Sequence, residues 1–230
     1  MISRTKVLGA GALLVLQAWT AAERARAQEF DNSVSVFGGV MSSSSKIRIN
    51  GEAEVSRPGF SGGVRYLRQT SGYFGAGFEV LGLVPRERRS ATLITNGFTT
   101  TNFQSIHALV VCRLGPSEGL LMPYLLAGAG AHSTSLKVVS TPFFGYGWSD
   151  SGTTETRTLV DSRKLGGAAK AQAGLDVSLG DSATLGGYAA LHLASNATYA
   201  PTRAGTAVGL TGLKGGYTAV SYGMNASARF

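Results

Sequence analysis

Cysteine is almost absent: Cys112 is the only one in 230 residues, so no internal disulfide can form and a multi-cysteine zinc site is excluded. Histidine is scarce as well. His107, His132 and His192 stand far apart in the chain, a spacing that points away from a histidine-built metal centre. After the first 30 residues no continuous apolar stretch approaches the ~20 residues a membrane-crossing helix needs, so any membrane passage there is not helical. H-E-x-x-H and phosphate-binding glycine loops are missing, and the chain is read as non-enzymatic, with no cofactor and no metal. Glycine, in contrast, is abundant at 32 residues. It follows no G-X-Y period, and hydrophobic residues make up 43% of the chain, which excludes both collagen and simple disorder.

The formal charge of +8 raises the question of nucleic acid, but the start of the chain answers it differently. Arg4 and Lys6 precede the apolar run Val7 to Trp19, and Ala25, Arg26 and Ala27 follow as an A-x-A stop. This is the order of a secretory leader, predicting cleavage after Ala27 and a mature domain over 28–230. The run is too short for a membrane anchor. Without residues 1–27 the chain carries 17 basic and 12 acidic residues in 203, only mildly basic, and no nucleic-acid partner is expected.

Beyond residue 30 the sequence alternates with a period of two. Counting back from Phe230, one face carries Ala228, Ala226, Met224, Tyr222 and Val220, and the other Arg229, Ser227, Asn225, Gly223 and Ser221. The same split recurs through Leu175 to Ala171 and through Leu193 to Leu185. Eight strands are predicted, over 32–41, 58–68, 72–83, 103–114, 119–131, 164–179, 183–195 and 214–230. Short connections at 69–72, 115–119 and 180–181 alternate with long ones at 42–57, 84–102, 132–163 and 196–213. An even-stranded closed barrel with both termini on the short-turn rim produces that rhythm. The predicted fold is all-β, an eight-stranded antiparallel up-and-down transmembrane barrel. A soluble sandwich or lipocalin-like barrel shares the period of two but lacks a reason to sort its loops by length.

In such a barrel the apolar face meets lipid and the small polar face fills the interior. Arg65, Glu79, His107, Arg113, Lys170, Asp176 and His192 fall on the interior face. An eight-stranded interior is narrow enough for side chains to fill, so these groups are expected to pair as an internal network. Which cation meets Glu79 and which meets Asp176 stays open at this level. Cys112 falls on the lipid side as an inert filler. Arg86, Arg88 and Arg89, in the second long loop, are candidates for contact with lipid phosphates. The aromatic run Pro142 to Trp148 is a candidate anchor at the membrane interface.

These features, with the carboxyl end SYGMNASARF closing on Phe230, resemble the small outer-membrane barrel superfamily, which includes the OmpA membrane domain and the opacity-type surface antigens. The resemblance implies a bacterial outer-membrane location with both termini periplasmic, insertion by the barrel assembly machinery, contact with outer-membrane lipids including lipopolysaccharide, and a monomer. It implies a structural or surface-interaction role through long extracellular loops, with an unknown surface ligand. A small passive channel is the alternative. A second alternative is a lipid A-modifying enzyme, because LHLASNA, Leu191 to Ala197, is similar to the His-x-Ser-Asn element of the PagL deacylases. Here His192 and Ser195 are three apart, which in a regular strand places them on opposite faces unless a bulge intervenes.

Overall fold

A computed structural model describes residues 32–49, 52–55, 58–85, 88–92, 97–142, 156–210 and 213–230. Within them the chain forms β1 (Asn32–Ile49), β2 (Glu52–Val55), β3 (Gly59–Gln69), β4 (Phe74–Pro85), β5 (Arg88–Thr92), β6 (Gly97–Leu114), β7 (Leu121–Pro142), β8 (Arg157–Ser178), β9 (Ala183–Tyr199), a short helix α1 (Arg203–Ala207) and β10 (Leu213–Arg229). The predicted leader lies outside the described residues.

Eight of these strands, β1, β3, β4, β6, β7, β8, β9 and β10, pair with their neighbours in antiparallel order, and β10 closes on β1 from Ser33↔Arg229 to Ser45↔Tyr217. The fold is a closed eight-stranded up-and-down barrel. The short β2 and β5 are return arms folded back on the ends of β1 and β6. Following paired residues once around the wall, from Ser35 through Arg65, Glu79, Leu109, Gly130, Ala168, Ala194 and Tyr217, returns to β1 at Ser45, displaced by ten residues. With eight strands spaced by the usual inter-strand distance, that stagger corresponds to a tilt of about 40° and a radius of about 8 Å. A cylinder that narrow has room for side chains and little else.

Three short turns sit on one rim, held by backbone bonds such as Thr70 N–H to the Phe74 carbonyl (2.9 Å) and Leu179 N–H to the Ala183 carbonyl (2.8 Å). Gly180 adopts φ +96° there, a conformation that a side chain would strain. Asn32 and Phe230 exchange both backbone bonds, at 3.2 and 3.0 Å, so the two ends of the barrel chain meet on this same rim.

The long connections of the sequence reading are shorter than expected, because the strands run on past the predicted ends. β1 continues to Ile49, β7 to Pro142 and β8 begins at Arg157, with pairs such as Thr99↔Ser140 and Thr101↔Val138 keeping register. Apolar alternation stops before the strand does. Ser, Thr and Val suit a pleated sheet on either face, and cross-strand pairing satisfies backbone groups that a loop would leave to solvent.

Burial follows the predicted faces. On β9 residues 184, 186, 188, 190 and 192 turn inward while Leu185, Leu191 and Leu193 are exposed, and the exposed side of the other strands carries Phe60, Phe78, Ile106, Val110, Leu125, Leu175 and Met224. One expectation is corrected: the interior is not only small and polar. Leu67, Leu81, Leu83, Leu109, Val111 and Leu126 are buried inside it, filling volume between the ionic groups. Gly77 is inward and packed against the neighbouring β3. A Cβ there would collide with the carbonyl of Tyr66 on β3.

Candidate functional site

The interior is stacked in storeys. Nearest the short-turn rim, Arg113 on β6 donates to Asp176 Oδ2 on β8 (3.3 Å) and lies 4.8 Å over the Tyr124 ring. Asn225 on β10 donates to the other oxygen of Asp176 (3.0 Å). Both members of the pair are nearly buried, so the extra amide donor helps offset the loss of water.

The next storey centres on Glu79 of β4. Its Oε2 accepts from Arg65 Nε at 2.7 Å and its Oε1 from Lys170 Nζ at 2.6 Å, so one carboxylate holds two cations with essentially no solvent exposure. Arg65 also donates to Gln172 Oε1 (2.9 Å), and Gln172 donates to the Tyr124 hydroxyl (2.7 Å). Arg65 and Lys170 lie 5.1 and 4.7 Å from the Phe37 ring centre, where the π face adds attraction in a dry setting. β3 and β8 stand four strands apart whichever way the wall is followed, so the Arg65–Gln172 bond crosses the full bore.

Above it the three histidines meet. His107 on β6 pairs through Nε2 with the Tyr217 hydroxyl on β10, a second contact across the full bore. Its ring centre lies 5.7 Å from that of His132 and 6.5 Å from that of His192. His192 Nε2 meets Ser221 Oγ at 2.8 Å, and His132 Nδ1 meets Thr134 Oγ1 at 2.6 Å. The Nδ1 atoms of His107 and His192 are buried without a hydrogen-bond partner. The wide spacing of histidines along the chain is therefore no guide to their spacing in space, because β6, β7 and β9 each carry one inward at the same height. Among the described residues, no group of His, Cys, Asp and Glu is arranged to hold a metal ion.

Beyond this storey, at the long-hairpin end, a second apolar cluster of Leu136, Val138, Leu159, Val160, Tyr199, Leu210 and Leu213 fills the space. Burial there pushes the Tyr199 phenol above its ordinary range.

All seven residues assigned to the interior are buried, in three groups: Arg65, Glu79 and Lys170; Arg113 and Asp176; His107 and His192. His132 and Tyr217 were missed as partners. The sequence pattern places His132 at the edge of the connection 132–163, whereas the inward parity of His107, its register partner, carries it inside. Arg86 lies outside the described residues, and so do the side chains of Arg88 and Arg89, although Arg88–Thr92 forms the backbone of β5. Of Pro142 to Trp148 only the backbone of Pro142 is described. Cys112 is a free thiol on the exposed face.

His192 and Ser195 do not form a pair. A bulge falls where Ala194↔Tyr217 gives way to Ala197↔Gly215, and it turns Ser195 toward His132 Nε2 at 3.4 Å instead. Behind that imidazole stands Thr134, where a hydrolytic triad would place a carboxylate.

No protein-family model matches the chain, and no curated protein matches it in sequence. Solved structures do. Neisserial surface protein A is similar at TM-score 0.56 and 11% identity, over 87% of this chain and 97% of that one. The outer membrane protein OprG of Pseudomonas aeruginosa is similar at TM-score 0.45 and 12% identity, over 86% and 97%. The chain therefore shares the fold of Neisserial surface protein A.

Proposed function

We propose that the protein is a bacterial outer-membrane barrel with a non-catalytic, structural or surface-interaction role, monomeric, and closed to ion flow. The observation that carries the closed interior is the pair of contacts spanning the bore at two heights, Arg65 with Gln172 and His107 with Tyr217. The belt of exposed apolar side chains around a sheet that closes on itself at belt height supports membrane insertion, since lipid satisfies no backbone polar group and only a closed sheet tolerates it. In this reading the short turns and both termini face the periplasm. The long hairpins extend outward, where they offer the surface for a partner. Outer-membrane lipids, lipopolysaccharide among them, surround the belt, and the barrel assembly machinery inserts it.

The experiment is a planar-bilayer recording of the protein, whose folding is first established by a mobility difference between unboiled and boiled samples on a denaturing gel. Heat-dependent mobility with no unitary conductance is the expected result. Steady conductance steps from the folded barrel would replace the closed reading with that of a passive channel. Release of fatty acid from lipid A, abolished by Ser195→Ala, would overturn the non-catalytic part.

A further inference from the structure

The barrel wall is not continuous around its whole height. The β8–β9 ladder runs from Ser178↔Thr184 to Ala168↔Ala194 and stops there. β8 rejoins the chain just past β9 at the isolated bridge Val160↔Pro201, where Thr202, the cap of α1, donates from its hydroxyl to the Thr158 and Leu159 carbonyls and from its amide to the Leu159 carbonyl. Between these points residues 161–167 of β8 form an edge without ladder pairing to β9. At the foot of the gap the Gly167 amide donates to the Ser195 hydroxyl at 3.0 Å, a side chain standing where a strand would be. Strand alternation then directs the amides of Leu165 and Arg163 to the same side, into the gap.

The height of this gap sets its chemistry. Leu165, 80% exposed, and Leu193, 44% exposed, are the last apolar residues of the belt on their strands. One outward step higher stands Arg163, exposed, in the cross-strand row Gln104↔Ser135↔Arg163. Half-buried Lys164 follows in the inward row. The acid on the same face is Asp161, one step further, directly opposite Lys137. Two cations, backbone donors of an open edge and an apolar shelf beneath them match an anion carried on a hydrocarbon tail.

We propose that this gap is a binding site for the phosphate group of a phosphorylated lipid, with Arg163, Lys164 and the β8 edge amides on the phosphate and the acyl chain along Leu165 and Leu193. The proposal rests on the membrane-barrel reading above. It assigns the lipid phosphate to β8.

The test uses the purified protein in detergent micelles, with native mass spectrometry against diphosphoryl lipid A and the same lipid stripped of phosphate. Wild type retains the phosphorylated form about tenfold or more in preference to the stripped one, the difference a charge-assisted contact supplies. Arg163→Ala with Lys164→Ala abolishes that preference, Arg163→Lys with Lys164→Arg keeps part of it, and Lys137→Ala leaves it unchanged. Equal retention of the stripped lipid, or an undiminished preference in the double alanine variant, overturns the site. Inorganic phosphate competing as well as the lipid at equal concentration overturns the lipid as its source. Each variant is first checked for heat-dependent gel mobility. A wild type without that shift refutes the barrel reading itself, which separates the two failures.

Discussion

Replacing Glu79 by Gln leaves the storey at mid-barrel with two cations and no anion. Both carboxylate oxygens are in use, Oε2 by Arg65 and Oε1 by Lys170, and all three side chains are sealed from solvent. Removing one partner of a buried ionic group costs about 3 to 5 kcal/mol, because the remaining charge has neither water nor counterion. That lowers the folding equilibrium by roughly two to four powers of ten. Lys170→Met is milder, because Arg65 and Glu79 then face each other one to one. It forfeits one charge-assisted bond and the approach to Phe37, about 1 to 3 kcal/mol together. In the double variant the excess charge is smaller than in Glu79→Gln alone, so the two losses fall short of adding by about 1 to 3 kcal/mol. The assay is urea unfolding in lipid vesicles, read as the fraction keeping the unboiled gel mobility and by far-ultraviolet circular dichroism. Glu79→Gln within about 0.5 kcal/mol of wild type, a distance-independent surface value, would refute a dry ionic core. Strict additivity in the double variant would do the same.

Gly77→Val places a side chain against the Tyr66 carbonyl in a wall that cannot open locally, so the heat-sensitive form should be lost on gels while Gly72→Val, in an open turn, keeps it. Cys112 offers a probe of the belt: in vesicles a charged maleimide should leave the thiol unmodified, with full labelling after unfolding in urea, read by mass. Rapid labelling of the folded protein in vesicles would place this face in water. Tyr217→Phe removes the hydroxyl that His107 meets and should cost about 1 to 3 kcal/mol in the same urea assay, with the barrel still closed because the Arg65–Gln172 crossing is intact.

The barrel was legible because its dominant signal is local. Parity alone places Tyr188, Ala190 and His192 inside and Leu191 and Leu193 outside, and the storey of Arg113 and Asp176 follows from the same count. Pairing across the bore is not local. That Lys170 reaches Glu79 depends on the ten-residue stagger, which is a property of closure and leaves no mark on any one strand. Ser195 was unreadable for another reason: the bulge beside it changes the face of every later residue on β9, and nothing in LHLASNA announces the extra residue. The strand ends were misjudged where Ser and Thr replace apolar residues above the belt, since the period of two reports burial and the ladder persists without it.

Closure of the bore depends on which walls the polar groups join. Contacts between adjacent strands, such as His192 with Ser221, line a wall and leave the axis free. Arg65 to Gln172 and His107 to Tyr217 occupy the axis itself, and Lys170 to Glu79 ties β8 to β4 between them. An ion entering from the short-turn rim would have to displace Arg113 from Asp176, then Arg65 and Lys170 from Glu79, and would meet the apolar cluster around Leu136 and Leu159 at the far end. A cation gains from none of these steps, because each carboxylate already holds arginine or lysine in a site drier than bulk water. An anion finds cations whose hydrogen bonds are committed. The same residues that make the interior costly to disrupt thus make it unfavourable to traverse, so stability in urea and absence of conductance should fail together, and Glu79→Gln is the variant in which both are read.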